Sequence, residues 1–149
     1  QLSKETQQIE ENREKIERTQ EVQSLWLRAG QETNPANKIA VYDQIMAIRP
    51  YDTEALTYKA DAVLEISEPQ WAINLCHQAL ESDPENGHAF YQLACAHTAL
   101  AQLDEAVHYL QRAVNCSETY REQSQNDPAL SPLQSYPGLD EILKPGGDS

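Results

Sequence analysis

The chain has 149 residues, only 5 of them glycine and 8 proline, and a formal net charge of −13. So little turn chemistry excludes a many-stranded sandwich or barrel, and so acidic a surface repels nucleic acid and anionic membranes alike. The acidity is uneven: residues 1–50 hold 7 Lys/Arg against 8 Asp/Glu, whereas residues 51–149 hold 4 against 16, a net of −12.

Residues 1–18 are polar, with Leu2, Ile9 and Ile16 spaced by seven. One apolar residue per heptad is too thin to define a coiled coil. The segment is predicted to be an N-terminal helical extension that runs into the next helix, to about Gln31. A stripe so thin is buried only against a partner, so homodimerisation through it is an alternative expectation.

The next hundred residues repeat with a period of 34. Ala55, Ala60, Ala62, Ala72 and Ala79 of the window 53–86 all fall on alanines of 87–120: Ala89, Ala94, Ala96, Ala106 and Ala113. Chance placement would give about one such match. The window 19–52 is a weaker copy, in which Ile39 matches Ile73, Gln44 matches Gln78 and Pro50 matches Pro84. Each window reads as two helices joined by a short turn. In 53–86, Leu56, Ala60, Val63 and Ile66 form one helical stripe, with Thr53 as its expected N-cap. Ser67-Glu68-Pro69 breaks that pattern. Trp71, Ala72, Leu75, Cys76, Ala79 and Leu80 form the second stripe, which stops at Asp83-Pro84. In 87–120 the turn falls at Gln102-Leu103-Asp104. Glu118 stands where the earlier windows have proline, so the last helix is expected to run on to about Gln125. The alanines let paired helices approach closely.

A period of 34 with small residues at Ala60, Ala72 and Ala79, then at Ala94, Ala106 and Ala113, with Pro84 and Phe90, resembles the tetratricopeptide repeat family. The resemblance spans residues 19–120 as three units, 19–52, 53–86 and 87–120. The first is degenerate, because Trp26, Lys38 and Ile45 replace its three small residues. The resemblance implies an all-α, right-handed superhelical stack of helix-turn-helix repeats. Asp127-Pro128-Ala129-Leu130-Ser131-Pro132-Leu133, followed by Tyr136-Pro137, resembles the segment that closes some such stacks. Residues 121–143 are therefore expected to be a helix end and closing segment, and residues 144–149 a flexible tail.

No catalytic or metal constellation emerges. Cys76, Cys95 and Cys116 are odd in number and lack a C-x-x-C spacing, which fits a reducing, cytoplasmic setting. Cys95 and His97 lie two apart and point in different directions on a helix, and Cys95 and His88 lie two turns apart. Neither pair offers a zinc site or an activated nucleophile. No enzyme activity, resident metal or cofactor is expected.

The resemblance instead places function on the concave groove, lined by the first helix of each unit. The residues it assigns there are Gln23 and Leu27, then Glu54, Thr57 and Asp61, then His88, Tyr91, Gln92 and Cys95, with Tyr91 as an amphipathic anchor. Some tetratricopeptide domains hold a partner's terminal carboxylate with Lys, Arg and Asn on this face. These positions carry no Lys or Arg, which argues against that mode. Glu54 and Asp61 favour a basic or mixed polar and apolar protein segment. The expected function is a non-catalytic protein–protein interaction module, a scaffold or assembly factor. The alternative is an oligomerisation or spacer segment of a larger protein.

Overall fold

The computed structural model describes residues 2–144; the expected flexible tail, apart from Lys144, lies outside the described residues. Three helical hairpins follow one another: α1 (Leu2–Gln31) with α2 (Pro35–Ile48), α3 (Thr53–Glu65) with α4 (Pro69–Ser82), and α5 (Gly87–Ala99) with α6 (Leu103–Cys116). A short α7 (Thr119–Gln125), a 3₁₀ segment (Pro128–Ser135) and α8 (Leu139–Ile142) follow among the described residues. The period of 34 is visible in the backbone. The first helices end at residues 31, 65 and 99, and the second helices start at 35, 69 and 103 and end at 48, 82 and 116.

Local chemistry sets these boundaries. Asn34, Asp52 and Asn86 each turn a side-chain oxygen back onto the first backbone N–H groups of the following helix, at 2.8 Å to Ala36, 3.0 Å to Ala55 and 3.0 Å to Ala89. Asp52, not Thr53, is therefore the cap of α3; Thr53 is its first helical residue. Proline opens α2 and α4, where its missing donor is harmless. α6 stops at Cys116 and does not run on to Gln125. Ser117 is extended, with φ −157° and ψ 131°, and its hydroxyl lies 2.9 Å from that of Thr119. These local side-chain bonds compete with the helical ladder, so a proline is not needed to end the helix at this register.

The turns inside the second and third hairpins place Ser67 and Ala101, again 34 apart, in the left-handed region at φ 62° and 60°. A residue with a Cβ is strained there by about 1–2 kcal/mol. Ala101→Gly and Ser67→Gly are each expected to gain about 0.5–1 kcal/mol, after the greater freedom of the unfolded glycine is deducted. Thermal unfolding should rise by about 2–4 °C per kcal/mol gained. A lowered midpoint would contradict the strained turn.

All ten matched alanines are at most 1% exposed, which is what close approach of the helices requires. They pack with Val63, Leu75, Phe90, Leu93 and Leu110 in the larger core, except for Ala55 and Ala62, which join the smaller one. That smaller core is built by the first hairpin from Val22, Leu25, Val41, Tyr42 and Ile45. Beyond the hairpins, Leu130 and Leu133 are fully buried and Leu139 and Leu143 nearly so, all in the larger core. The 3₁₀ segment lies against α5. Residues 3–21 of α1, by contrast, are exposed throughout.

Candidate functional site

The first helices α1, α3 and α5 share one face. Trp26 of α1 meets Tyr58 of α3 edge-on at 5.6 Å, and Tyr58 meets His88 of α5 at 5.3 Å. His88 Nε2 donates to the Asp61 carboxylate across α3 and α5, at 3.0 Å to Oδ2. Three adjoining cavities run along this face. One, of about 360 Å³, lies between α3, α5 and the closing segment, with Asp61, Leu64, Gln92, Cys95 and Asp127 in its wall. The second, of about 330 Å³, shares Asp61 and Glu65 with it and reaches Glu32, Lys38, Tyr42 and Tyr58. The third, of about 240 Å³, shares Tyr42 and Tyr58 with the second and adds Trp26 and Glu54.

Among the described residues, Glu32, Glu54, Asp61, Glu65 and Asp127 thus line these cavities against a single Lys or Arg, Lys38. Lys38 pairs with Glu65 at 3.5 Å. Burial lifts Asp61 above the usual carboxylate range, against the opposing pull of its hydrogen bond to His88. Burial likewise raises the Tyr42 phenol, and the charges of Asp61 and Glu65 add to the effect. Both groups report a negative, partly dry cleft, where an incoming cation gains more than it would in open water.

The structure divides the residues assigned from sequence. Glu54, Asp61, Tyr91, Gln92 and Cys95 line the cavities, and His88 borders them through Asp61 and Tyr58. Gln23 and Leu27 are exposed on α1 and line none of the three. Thr57 is not a groove residue: it is 1% exposed, with its hydroxyl donated to the Glu54 carbonyl at 3.0 Å. That local bond lets a threonine sit in the core without an orphaned polar group. Tyr91 is not a free anchor either. It is 1% exposed, stacks on Tyr120 at 5.3 Å and donates its hydroxyl to Asp127 at 2.7 Å. The closing segment thus holds the Tyr91 hydroxyl through Asp127. Cys95, 6% exposed, lies on the same covered floor, where burial raises its thiol pKa and suppresses the thiolate.

Sequence reasoning missed Trp26, Tyr42, Tyr58, Lys38 and Glu65. Trp26 and Lys38 stand at the registers where later units carry packed alanines. They are too large for that seam, so both are half-buried and line the cleft. Among the described residues, no group of three or more His, Cys, Asp or Glu is placed to hold a metal ion, and no helix is long and apolar enough to cross a membrane.

Stacked helical hairpins enclosing a side-chain-lined groove define a helical-repeat protein. The family model for the tetratricopeptide repeat matches residues 67–135. Over that stretch the chain is similar to tetratricopeptide repeat proteins. Solved structures agree with the fold. The first TPR of Spaghetti (RPAP3), bound to the HSP90 peptide SRMEEVD, is 20% identical over 83% of this chain and 94% of that one, with a TM-score of 0.63. The TPR2B domain of yeast Sti1, in a pHsp70 complex, is 18% identical over 85% and 93%, with a TM-score of 0.61. MamA residues 41 to the end from Desulfovibrio magneticus RS-1 is 19% identical over 77% and 69%, with a TM-score of 0.57. No curated protein matches the chain.

Proposed function

We propose that the chain is a non-catalytic, cytoplasmic interaction module that holds a basic protein segment in its concave groove, as a scaffold or assembly factor. One observation carries this reading: among the described residues, five carboxylates against one ammonium line the groove. The Spaghetti and Sti1 structures are complexes with a peptide and with pHsp70, and the same architecture suits a peptide here. The peptide SRMEEVD ends in two glutamates, a valine and an aspartate, and such an end would meet like charge along this cleft.

A lysine- and arginine-bearing Gly/Ser peptide is expected to bind, and SRMEEVD is not. Asp61→Asn with Glu65→Gln should weaken the basic peptide about tenfold, and added salt should weaken it further. Because burial raises Asp61, its charge is lost early as pH falls toward the ordinary carboxylate range, so affinity should decline on acidification. Fluorescence anisotropy reads all of these. Tighter binding of SRMEEVD than of the basic peptide would overturn the reading.

A second use is supported by α1. Ile9 and Ile16 are 68% and 56% exposed on a stretch where residues 3–21 are all exposed. A second copy could bury them. Light scattering is expected to give twice the chain mass for the full chain and a single mass once residues 1–18 are removed; a full chain of single mass removes this use.

A further inference from the structure

Trp26, Tyr42 and Tyr58 come from three different helices and meet as a triangle. Their ring centroids are 5.8, 5.6 and 6.2 Å apart, with planes inclined by 51°, 72° and 31°. With Ala29, Gly30 and Glu54 they wall the cavity of about 240 Å³. Tyr42 is buried, Trp26 half-buried and Tyr58 40% exposed, so the rings form a floor, a side and a rim. Ala29 and Gly30 are small and complete the wall, and a Cβ on Gly30 would meet nothing within 4 Å, so that side of the cavity is open.

The lining selects the occupant. An anion would be repelled by Glu54 and by Asp61 and Glu65 in the adjoining cavity. An apolar side chain would strip water from Glu54 and return no counter-charge. A cation satisfies both the ring faces and the carboxylate. Among cationic side chains, a guanidinium is flat and weakly hydrated, stacks on aromatic faces and forks onto a carboxylate, whereas an ammonium is a compact, strongly hydrated charge. We propose that this cavity is an arginine pocket, which takes the guanidinium of one arginine on the segment held in the groove. It rests on the groove reading above and states which side chain that groove selects.

The test uses the full chain carrying Trp71→Phe. Trp71 lies under Lys59 Nζ at 5.2 Å and is not part of the cavity wall, and its removal leaves Trp26 the sole indole of the two in the sequence. The probes are short Gly/Ser peptides with three arginines, or with lysine, citrulline or norleucine in their place. Anisotropy gives affinity, and the indole N–H resonance reports occupancy. The arginine peptide is expected to shift the Trp26 resonance. The citrulline and norleucine peptides should bind about tenfold more weakly, and the lysine peptide should fall between. Tyr58→Leu and Glu54→Gln, both at exposed positions, should each weaken the arginine peptide by up to about tenfold. The pocket is overturned if lysine or norleucine binds as tightly as arginine. It is also overturned, with the groove reading intact, if the arginine peptide binds yet leaves the indole unmoved and Tyr58→Leu without effect. If none of the peptides binds, the groove reading itself falls and the pocket with it.

Discussion

Truncating Leu133 to alanine is expected to remove about 2–5 kcal/mol of stability and to unmask Cys95. Leu130 and Leu133 are both fully buried in the larger core, and an alanine there leaves a cavity that the short 3₁₀ turn has few ways to collapse. The segment is otherwise held by few bonds. Tyr91 donates to Asp127 at 2.7 Å, Gln134 to the Ser124 carbonyl at 3.3 Å, and Tyr136 to Asp104 at 2.5 Å. Each is worth about 0.5–1.5 kcal/mol net, so the two leucines dominate the docking. When they weaken, the cover opens before the hairpins do, because local openings draw on the least-packed units. The three thiols then separate by place. Cys116 is exposed and is labelled in both proteins. Cys76 is fully buried between hairpins, with its pKa raised to about 12, and stays unlabelled in both. Cys95 lies beneath the cover and should pass from slow to rapid labelling in Leu133→Ala. Site-resolved mass spectrometry after a brief thiol-reagent pulse reads the difference. Unchanged Cys95 labelling would mean that the closing segment does not guard the α5 face.

The hairpins were legible in the sequence because their packing is periodic. Ala60 and Ala94, or Ala72 and Ala106, meet the same steric demand in successive units, and a demand made twice leaves a mark at a spacing of 34. Asp52 and Asn86 leave a similar mark at their caps, although Thr53, the residue after Asp52, is an equally good cap by type. The cleft left no such mark. Tyr58 corresponds to Ser24 and Gln92 in its neighbours, since nothing in the packing holds that position constant. Trp26 and Lys38 read as defects in the degenerate first unit, whereas the structure makes both of them cleft walls. The pairing of Tyr91 with Asp127 spans 36 residues and crosses from a repeat into the closing segment, so no local period could announce it. The resemblance assigns Thr57 to the groove, as lying opposite the packed stripe of its helix, but it is buried, and its bond to the Glu54 carbonyl satisfies its hydroxyl there.

Ala94→Leu is expected to lower stability by about 1–3 kcal/mol, whereas Ala99→Leu, five residues along the same helix, should change it by no more than about 0.5 kcal/mol. Ala94 has no exposed surface and belongs to the larger core with Ala60, Ala72 and Ala106. Three added carbons at such a seam have no free volume to enter, because the interior is already packed to crystal-like density. The helices must separate, or the leucine must leave its preferred rotamer. Ala99 is exposed at the end of α5, so the same three carbons there meet solvent. The first unit shows what a large side chain does at the equivalent register: Trp26 cannot enter the seam, and it stands half-buried beside the cleft. Ala94 lines none of the three cavities, so a leucine there has no cleft to escape into. Urea unfolding should therefore show a lower midpoint with an unchanged slope for Ala94→Leu. Equal midpoints for the two variants would mean that the repeats are not nested through their alanines, and the register of 34 would lose its physical cause.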